Sequence, residues 1–198
     1  MLVNTFCAAV NGLEVTTVKV EVSMTRGVQF HLTGLADTAV RESYDRIRAA
    51  LQNNGLKMPM MDITANLSPA DIKKEGSGYD LPLAIGILAA SGKVDGSRLN
   101  DYMMVGELGL DGRLQPIRGA LPIAIRARAE HFKGLIVPKQ NIREAAVVNQ
   151  IEVYGMETLN DFANFFNGAS DLAPTVIDRR KELYEQESQS ELHLTHVP

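Results

Sequence analysis

A short polar loop at residues 73–78 contains the side chains of this sequence that are best suited to chemistry. Two lysines, Lys73 and Lys74, and one hydroxyl, Ser77, stand beside two glycines at the tip of the loop. A serine hydroxyl becomes a nucleophile when a nearby base, such as a lysine with a lowered pKa, accepts its proton. Glycines allow a positive φ and a close approach of the backbone to a ligand. The loop therefore has the composition of a functional site.

The elements on either side of the loop determine where it must lie. An apolar strand at residues 61–67 precedes it, and a nearly uncharged helix begins after Asp80 and continues to about Ala90. A helix that is apolar all round belongs in the middle of a domain. Asp80 stands at the start of that helix, so we expect its carboxylate to cap the first-turn N–H groups. The pattern predicts a polar loop at the mouth of a central, buried helix.

Composition limits the classes of protein to which this chain can belong. The chain has 198 residues, 45% of them hydrophobic and 22% charged, which suits one medium domain with an appendage. Its net charge of −4 gives no diffuse basic field, so any DNA contact needs a local positive cluster. The single Cys7 excludes an internal disulfide framework, and no Cys/His cluster has zinc spacing. We expect a cytoplasmic protein with no metal site, signal peptide or membrane contact.

The order of strands and helices predicts the fold class. Hydrophobic periodicity gives the order βββα–βα–ββα–βα–βα, which mixes hairpins with crossover units and indicates an α+β or mixed α/β fold with a mixed sheet. In the third strand we expect Val28, Phe30 and Leu32 to point inward, and in the second we expect a bulge at residues 16–17. Asp37 is expected to cap a helix that continues to residue 54.

Residues 1–168 form the predicted domain, and the composition changes after them. Residues 169–198 are charged, rich in Gln and Ser and poor in large apolar side chains, which is typical of a linker. We therefore expect this chain to be the front module of a longer protein.

Three segments together resemble one family. They are GLADTAVRESYDRIRAAL (34–51), NLSPADIKKEGSGYDLPLAIGILAASG (66–92) and GELGLDGRLQPIRGALPIAIRARA (106–129). They resemble the N-terminal domain of the magnesium-chelatase-like AAA+ ATPases, the ComM or YifB family. The resemblance implies a fold of the ribosomal protein S5 domain 2 type, shared with the Lon protease catalytic domain and the C-terminal domain of RadA.

The resemblance also implies what lies outside this chain. In the family, a linker at the position of residues 169–198 leads to an AAA+ ATPase domain of the same polypeptide, which uses ATP and magnesium. No G-x-x-x-x-G-K-S/T loop occurs here, so we expect this chain itself to hold no cofactor.

The Lon-like relatives carry a catalytic serine in a K-D-G-P-S motif and a lysine at the end of a G-x-x-x-P-I-G-G-L-K motif. Alignment of the motifs puts Gly78 at the serine position and Leu121 at the lysine position, so the resemblance implies a domain without the catalytic dyad. Replacement of the dyad by Ser77 and a loop lysine is disfavoured, because we expect both lysines to be exposed and therefore strongly basic. We expect Glu107 to hold N–H groups of the loop.

The resulting hypothesis is a non-catalytic module of a ComM-type ATPase, a hexameric motor that drives branch migration in natural transformation and homologous recombination. The module would support assembly, DNA contact or both. A protease-related or chelatase-related subunit and a pure oligomerisation scaffold remain as alternatives. We expect residues 76–78 to pack near residues 119–121. The candidate DNA- or partner-binding residues are Lys73, Lys74, Arg113, Arg118 and Arg126.

Overall fold

The computed structural model of the protein describes residues 1–178, 181, 185 and 186. Within them the strands are β1 (Leu2–Asn11), β2 (Glu14–Thr25), β3 (Phe30–Thr33), β4 (Asp62–Ser68), β5 (Tyr102–Met104), β6 (Glu107–Leu108), β7 (Leu114–Gln115), β8 (Gly134–Pro138) and β9 (Glu152–Met156). The helices are α1 (Thr38–Arg41), α2 (Ser43–Asn53), α3 (Asp80–Ala90), α4 (Ala120–Ala129), α5 (Ile142–Ala145) and α6 (Leu159–Phe166). The rest of the predicted linker lies outside the described residues.

Seven strands form one mixed sheet in the order β3-β4-β2-β1-β5-β8-β9, and β6 pairs with β7 separately. Strand β2 runs antiparallel to both of its neighbours, whereas β3–β4, β1–β5, β5–β8 and β8–β9 are parallel pairs. The predicted α+β class with a mixed sheet is confirmed. The β1–β2 register is continuous from Leu2↔Ser23 to Asn11↔Glu14, so the bulge predicted at residues 16–17 is wrong.

Helices α3 and α4 cover opposite faces of this sheet. Thr5 Oγ1 donates a hydrogen bond of 2.9 Å to Pro82 O, which places α3 on the face to which Thr5 points. Arg126 of α4 reaches Thr17, whose register partner is Ala8. Side chains at positions 5 and 8 of one strand point to opposite faces, so α4 lies on the other side. Every residue of α3 is buried, which confirms the prediction of a central helix.

Two local predictions have different outcomes. Asp37 Oδ1 accepts a hydrogen bond of 2.8 Å from Val40 N, so the predicted cap is confirmed, although the helix is divided into α1 and α2 at Glu42. Phe30 is half-buried, but Val28 precedes β3 and is 72% exposed, so its predicted inward position is wrong. The strand begins two residues later than the sequence pattern indicated.

The parallel strands end at one common edge of the sheet, which we call the carboxyl edge. Strands β1 and β4 both run opposite to β2, so β3, β4, β1, β5, β8 and β9 all point the same way. Strands β1 and β5 are neighbours in the sheet. After β1 the chain continues to β2, on one side of this pair, and after β5 the next strand of the sheet is β8, on the other side. Open α/β sheets bind ligands at the carboxyl ends of their strands, at such a switch point.

The described start of the predicted linker follows the surface of the domain. Ala169 N donates to Asn164 O at 2.8 Å, Thr175 N donates to Val153 O of β9 at 2.7 Å, and Ile177 packs against the core. The boundary at residue 168 stays a prediction. No helix in the described part of the chain is long and apolar enough to cross a membrane.

Candidate functional site at the carboxyl edge of the sheet

The glycine-rich loop connects the ends of three strands. It follows β4, and Gly76, which has a φ of +86°, donates its N–H to Asp37 Oδ2 at 3.2 Å, just beyond β3. Gly78 O accepts a hydrogen bond of 3.0 Å from Gly106 N, just beyond β5. Gly76 thus takes the positive φ that the sequence suggested for the tip of the loop. These contacts fix the loop at the entrance to α3.

Ser77 points toward a carboxylate. Its hydroxyl donates a hydrogen bond to Glu107 Oε2, and both residues are half-buried. We expected Glu107 to hold N–H groups of the loop, but it accepts the serine hydroxyl, while Asp37 accepts the N–H of Gly76. The hydrogen bonds of the described residues give Ser77 no lysine partner. A carboxylate is a much weaker base than a lysine amine, so this pair does not activate the hydroxyl strongly.

Lys74 is buried, which corrects the expectation that both loop lysines are exposed. Its side chain is 0% exposed, and Nζ donates a hydrogen bond to Pro69 O. Its backbone N donates to Leu35 O and its O accepts from Asp37 N, both at 3.0 Å, so the residue is held in an extended segment with its side chain inward. Burial lowers the pKa of Lys74, and Asp71 partly offsets this effect. Lys74 therefore has no surface on which to meet DNA.

Asp80 is part of a buried ion pair instead of a helix cap. The residue at the cap position is Tyr79, and no side chain caps α3. Asp80 accepts two hydrogen bonds from Arg46, at 2.7 Å from Nε and 3.0 Å from Nη2, and one of 3.0 Å from Leu108 N. Arg46 Nη2 also donates to Ala39 O at 2.6 Å. The predicted cap is wrong, because the fully buried carboxylate has a charged partner.

Burial raises the pKa of Asp80, and the hydrogen bonds from Arg46, Ser43 and Leu108 N partly offset this rise. The ion pair joins α2, α3 and β6, so we interpret it as a clamp that holds these elements together. Sequence analysis did not identify Arg46. An aspartate beside a wholly apolar helix signals that some cation must be near, since a buried charge needs a partner. The position of that cation, 34 residues away, cannot be inferred from this signal.

The two positions that correspond to the Lon dyad lie at the starts of two different helices. Gly78 precedes α3, and Leu121 is in the first turn of α4, where its N donates to Glu144 Oε1 at 3.1 Å and its side chain is 38% exposed. A Cβ on Gly119 would lie 3.5 Å from Val10 Cγ2, at the end of β1. Both segments reach the carboxyl edge, but their helices cover opposite faces. The hydrogen bonds of residues 76–78 to other segments lead to Asp37, Gly106 and Glu107, and none of those among the described residues leads to the expected residues 119–121.

The turn before α4 is fixed by a buried asparagine. Asn141 Oδ1 accepts a hydrogen bond of 2.9 Å from Ile117 N, and Asn141 Nδ2 donates one of 2.8 Å to Ile117 O. Asn141 is only 6% exposed. Arg118, which follows Ile117 in the chain, is exposed, and among the described residues it has no carboxylate within salt-bridge distance. Sequence analysis did not identify Asn141, because it follows β8 and its contact is made only in the folded chain.

The other candidate cations are paired with acidic residues. Lys73 Nζ lies 2.8 Å from Glu75 Oε1, and Arg113 Nε lies 3.8 Å from Asp111 Oδ2. Arg126, which is half-buried beside β2, is bonded to Glu130. Of the five candidates, Arg118 is the exposed one whose charge has no such partner in the described structure. Of the five predicted contacts, one is therefore buried and three are ion-paired in the described structure.

Comparison with known families assigns the chain to a class. The family described as "Subunit ChlI of Mg-chelatase" matches residues 20–141, a span that contains the glycine-rich loop, the Arg46–Asp80 clamp and the turn before α4. The chain belongs to this Mg-chelatase ChlI family.

Similar proteins confirm the resemblance to ComM and YifB. The chain is 43% identical to the competence protein ComM of Haemophilus influenzae over 162 residues, which cover 81% of this chain and 32% of that protein. It is 41% identical to the uncharacterised protein YifB of Escherichia coli over 139 residues, covering 70% and 27%. Identity with Lon protease 2 of Bacillus subtilis is 26% over 201 residues, covering 87% and 36%. The chain thus spans about a third of the length of these relatives.

Proposed function

We propose that this chain is the non-catalytic N-terminal module of a ComM-type, Mg-chelatase-like AAA+ ATPase, and that its main task is assembly with neighbouring copies. The proposal rests on membership of the ChlI family and on the two positions, Gly78 and Leu121, that lack a nucleophile and a base. We expect the purified chain to show no hydrolysis of casein. Cleavage that survived rigorous purification and disappeared in Ser77→Ala would contradict this.

An exposed apolar surface supports the assembly role. Leu121 and Ile125, one turn apart on α4, are 38% and 44% exposed. At the adjacent hairpin, Val10 is 39% exposed and Leu13 is fully exposed. We call these four residues the assembly surface. Val10 lies beside Gly119, the residue before α4, and an apolar patch on a protein surface is a common sign of a protein–protein contact. Leu121, at the position where the resembled proteases have their lysine, thus contributes to a surface and not to a reaction.

The proposed motor function belongs to the longer polypeptide. In this proposal the AAA+ domain binds ATP and magnesium, the copies form a hexamer, and the assembly drives branch migration during natural transformation and homologous recombination. The printed name of the Haemophilus influenzae relative, a competence protein, supports this direction. The module described here supplies contacts between copies, and the ATPase domain supplies the energy.

The assembly role is tested in the longer polypeptide that includes the ATPase domain. Leu121→Asp combined with Ile125→Asp should lower the mass of the assembly in light scattering, since charges at an apolar contact oppose its burial. ATP hydrolysis should fall with it. Met60→Asp is the control, because Met60 is 84% exposed and does not belong to the assembly surface. An unchanged mass and ATPase rate in the double variant would contradict the assembly role.

DNA contact is a second candidate function, supported by exposed arginines at the carboxyl edge. Arg113 and Arg118 lie on either side of the Gln115–Ile117 turn, and both are exposed. If they contact phosphates, oligonucleotide binding must weaken as salt rises, by about one unit of slope for each phosphate contact. Arg118→Glu should lower the affinity and flatten that slope. Unchanged binding in Arg118→Glu would remove Arg118 from the DNA contact.

A further inference from the structure

A cavity opens at the carboxyl edge between β7 and the turn at residues 139–141. Its volume is about 280 Å³. The residues that line it are Arg113, Leu114, Gln115, Lys139, Gln140 and Glu157. Strands β8 and β9 end beside each other here, since Pro138 pairs with Met156. The cavity therefore lies at the carboxyl ends of two parallel strands, the edge of the sheet at which α/β proteins bind ligands, although it is not at the switch point between β1 and β5.

The walls of the cavity are held by backbone hydrogen bonds. Leu114 N donates to Glu157 O at 2.8 Å, and Leu159 N donates to Gly112 O at 2.9 Å. Arg113 and Thr158 form an antiparallel bridge. The opposite wall is adjacent to Asn141, which is bonded to the turn before α4 as described above. The long side chains therefore extend into the cavity from fixed backbone positions.

The side chains of the cavity favour an anion. Lys139 and Arg113 bring two positive charges, two glutamine amides add donors, and Glu157 brings one negative charge. Lys139 Nζ lies 2.8 Å from Glu157 Oε1, and Glu157 raises the pKa of Lys139, which keeps the amine charged. The Arg113 guanidinium forms the long ion pair with Asp111 described above, at 3.8 Å, but it donates no hydrogen bond to any described residue. Its donors are therefore available to a ligand.

We propose that this cavity binds a phosphate group through Arg113 and Lys139, with Glu157 as the internal anion that the phosphate displaces from Lys139. The guanidinium fork presents paired donors that match phosphate oxygens, and Lys139 acts as a point charge. Of the two cations, only Lys139 is bonded to Glu157, whereas a phosphate has enough oxygens to contact both Lys139 and Arg113.

The source of the phosphate is the DNA backbone, and this part of the inference rests on the DNA contact proposed above. The side chains of Arg113 and Lys139 are 69% and 61% exposed, so a polymer can approach them from solvent. Contacts of this kind fix the position of a duplex without reading its bases. A phosphate on a small molecule has the same chemistry, so the experiment includes a probe for each source.

Two probes and five variants test the inference with the 198-residue chain. A fluorescein-labelled DNA duplex is titrated by anisotropy, and inorganic phosphate is titrated by nuclear magnetic resonance of the backbone amides of Leu114 and Gln140. Arg113→Gln and Lys139→Gln should each weaken binding of both probes, by about two- to fivefold for contacts between exposed charges. Glu157→Gln should strengthen binding, because it releases Lys139.

A matched ion pair elsewhere provides the control. The Lys73–Glu75 pair has the same 2.8 Å distance, with side chains 60% and 56% exposed against 61% and 54% for Lys139–Glu157, and it lies outside the cavity. Lys73→Gln and Glu75→Gln repeat the two charge changes there, so they should leave the affinity for inorganic phosphate nearly unchanged; the duplex is not used for this control, because Lys73 is itself a predicted DNA contact. Because the exchanged side chains are all more than half exposed, the variants should fold, which circular dichroism verifies.

The outcomes separate the cavity from the DNA contact. If phosphate binds and depends on Arg113 and Lys139 but the duplex does not bind, the inferred site stands and the DNA contact is wrong. If the duplex binds with equal affinity to Arg113→Gln, Lys139→Gln and wild type, the DNA contact stands and the inferred site is wrong. If neither probe binds, or if Glu157→Gln weakens binding, the inferred site is overturned.

Discussion

The loop at residues 73–80 and the turn at residues 113–121 lie at the same edge of the sheet but differ in what they expose. Both correspond to segments that carry catalytic residues in the Lon-like proteins that this chain resembles. In the loop, the charged side chains of Lys74 and Asp80 are 0% exposed. In the turn, the guanidinium of Arg118 and the side chain of Leu121 are open to solvent.

The difference follows from the helices that the two segments precede. Helix α3 is buried on every side, so a charged group at its start must find its partners inside the protein. Helix α4 buries Ala120, Ile123, Ala124 and Ala127 and leaves its other side in solvent. Lys74 and Asp80 of the loop therefore serve the stability of the fold, whereas Arg118 and Leu121 of the turn are exposed to partners.

The largest expected effect on stability tests whether the buried carboxylate of Asp80 helps to hold the fold together. Asp80→Ala removes the carboxylate and leaves Arg46 as a partly buried charge without its partner, so it should lower the free energy of unfolding by about 3–5 kcal/mol. Urea denaturation measures this. The combination Asp80→Leu with Arg46→Met should recover much of the loss, because it removes both charges together. A loss below about 1 kcal/mol in Asp80→Ala would show that the clamp is not what holds the loop.

A smaller loss is expected where the turn is attached to the fold. Asn141→Ala removes both hydrogen bonds to Ile117 and leaves the backbone N–H and C=O of Ile117 without these partners. The free energy of unfolding should fall by about 1–3 kcal/mol. Thermal unfolding should show the corresponding decrease in melting temperature. Gln140→Ala is the control, because Gln140 is the exposed neighbour of Asn141. Equal stability of the two variants would indicate that the turn needs no support from Asn141.

The buried amine of Lys74 should appear in the pH dependence of stability. Because burial lowers its pKa in the folded state, the unfolded chain binds more protons between that value and about 10.4, and the free energy of unfolding rises with pH there. Lys74→Met should remove this rise. The stability of the variant relative to wild type should therefore be highest near neutral pH, where the buried amine of the wild type is still charged. Glu75 raises the pKa of the exposed Lys73, so Lys73→Met should alter the slope in the opposite sense. Parallel curves for wild type and Lys74→Met would contradict the burial of this amine.

The smallest effect on stability is expected for the exposed residues of the turn. Arg118→Glu and Leu121→Asp should each change the free energy of unfolding by less than about 0.5 kcal/mol, as exposed substitutions usually do. The same variants are expected to change binding, so the two measurements separate a surface role from a structural one. A loss above about 1 kcal/mol would place the turn with the loop as a part of the fold.

Much of the fold follows from patterns within the sequence. The apolar run of α3 and the Asp37 cap depend on neighbours a few residues apart, and the structure confirms them. The predicted order of elements matches the structure, except that three strands instead of two lie between α3 and α4 and that the first helix is divided. The site was harder to predict. Lys74 was expected on the surface because it stands in a polar run, and Asp80 was expected to cap its own helix because it stands at the start of one.

By itself, the sequence determined the mixed fold, the central helix and the family, since hydrophobic periodicity and motif spacing are properties of the chain alone. The tertiary structure decided which polar groups of the carboxyl edge are buried and which are free. Arg46 is bonded to Asp80, 34 residues away, and Lys139 is bonded to Glu157 at a cavity that Arg113 also lines. Such contacts depend on how the sheet orders its strands, because burial and ion pairing arise between segments that the sequence keeps apart.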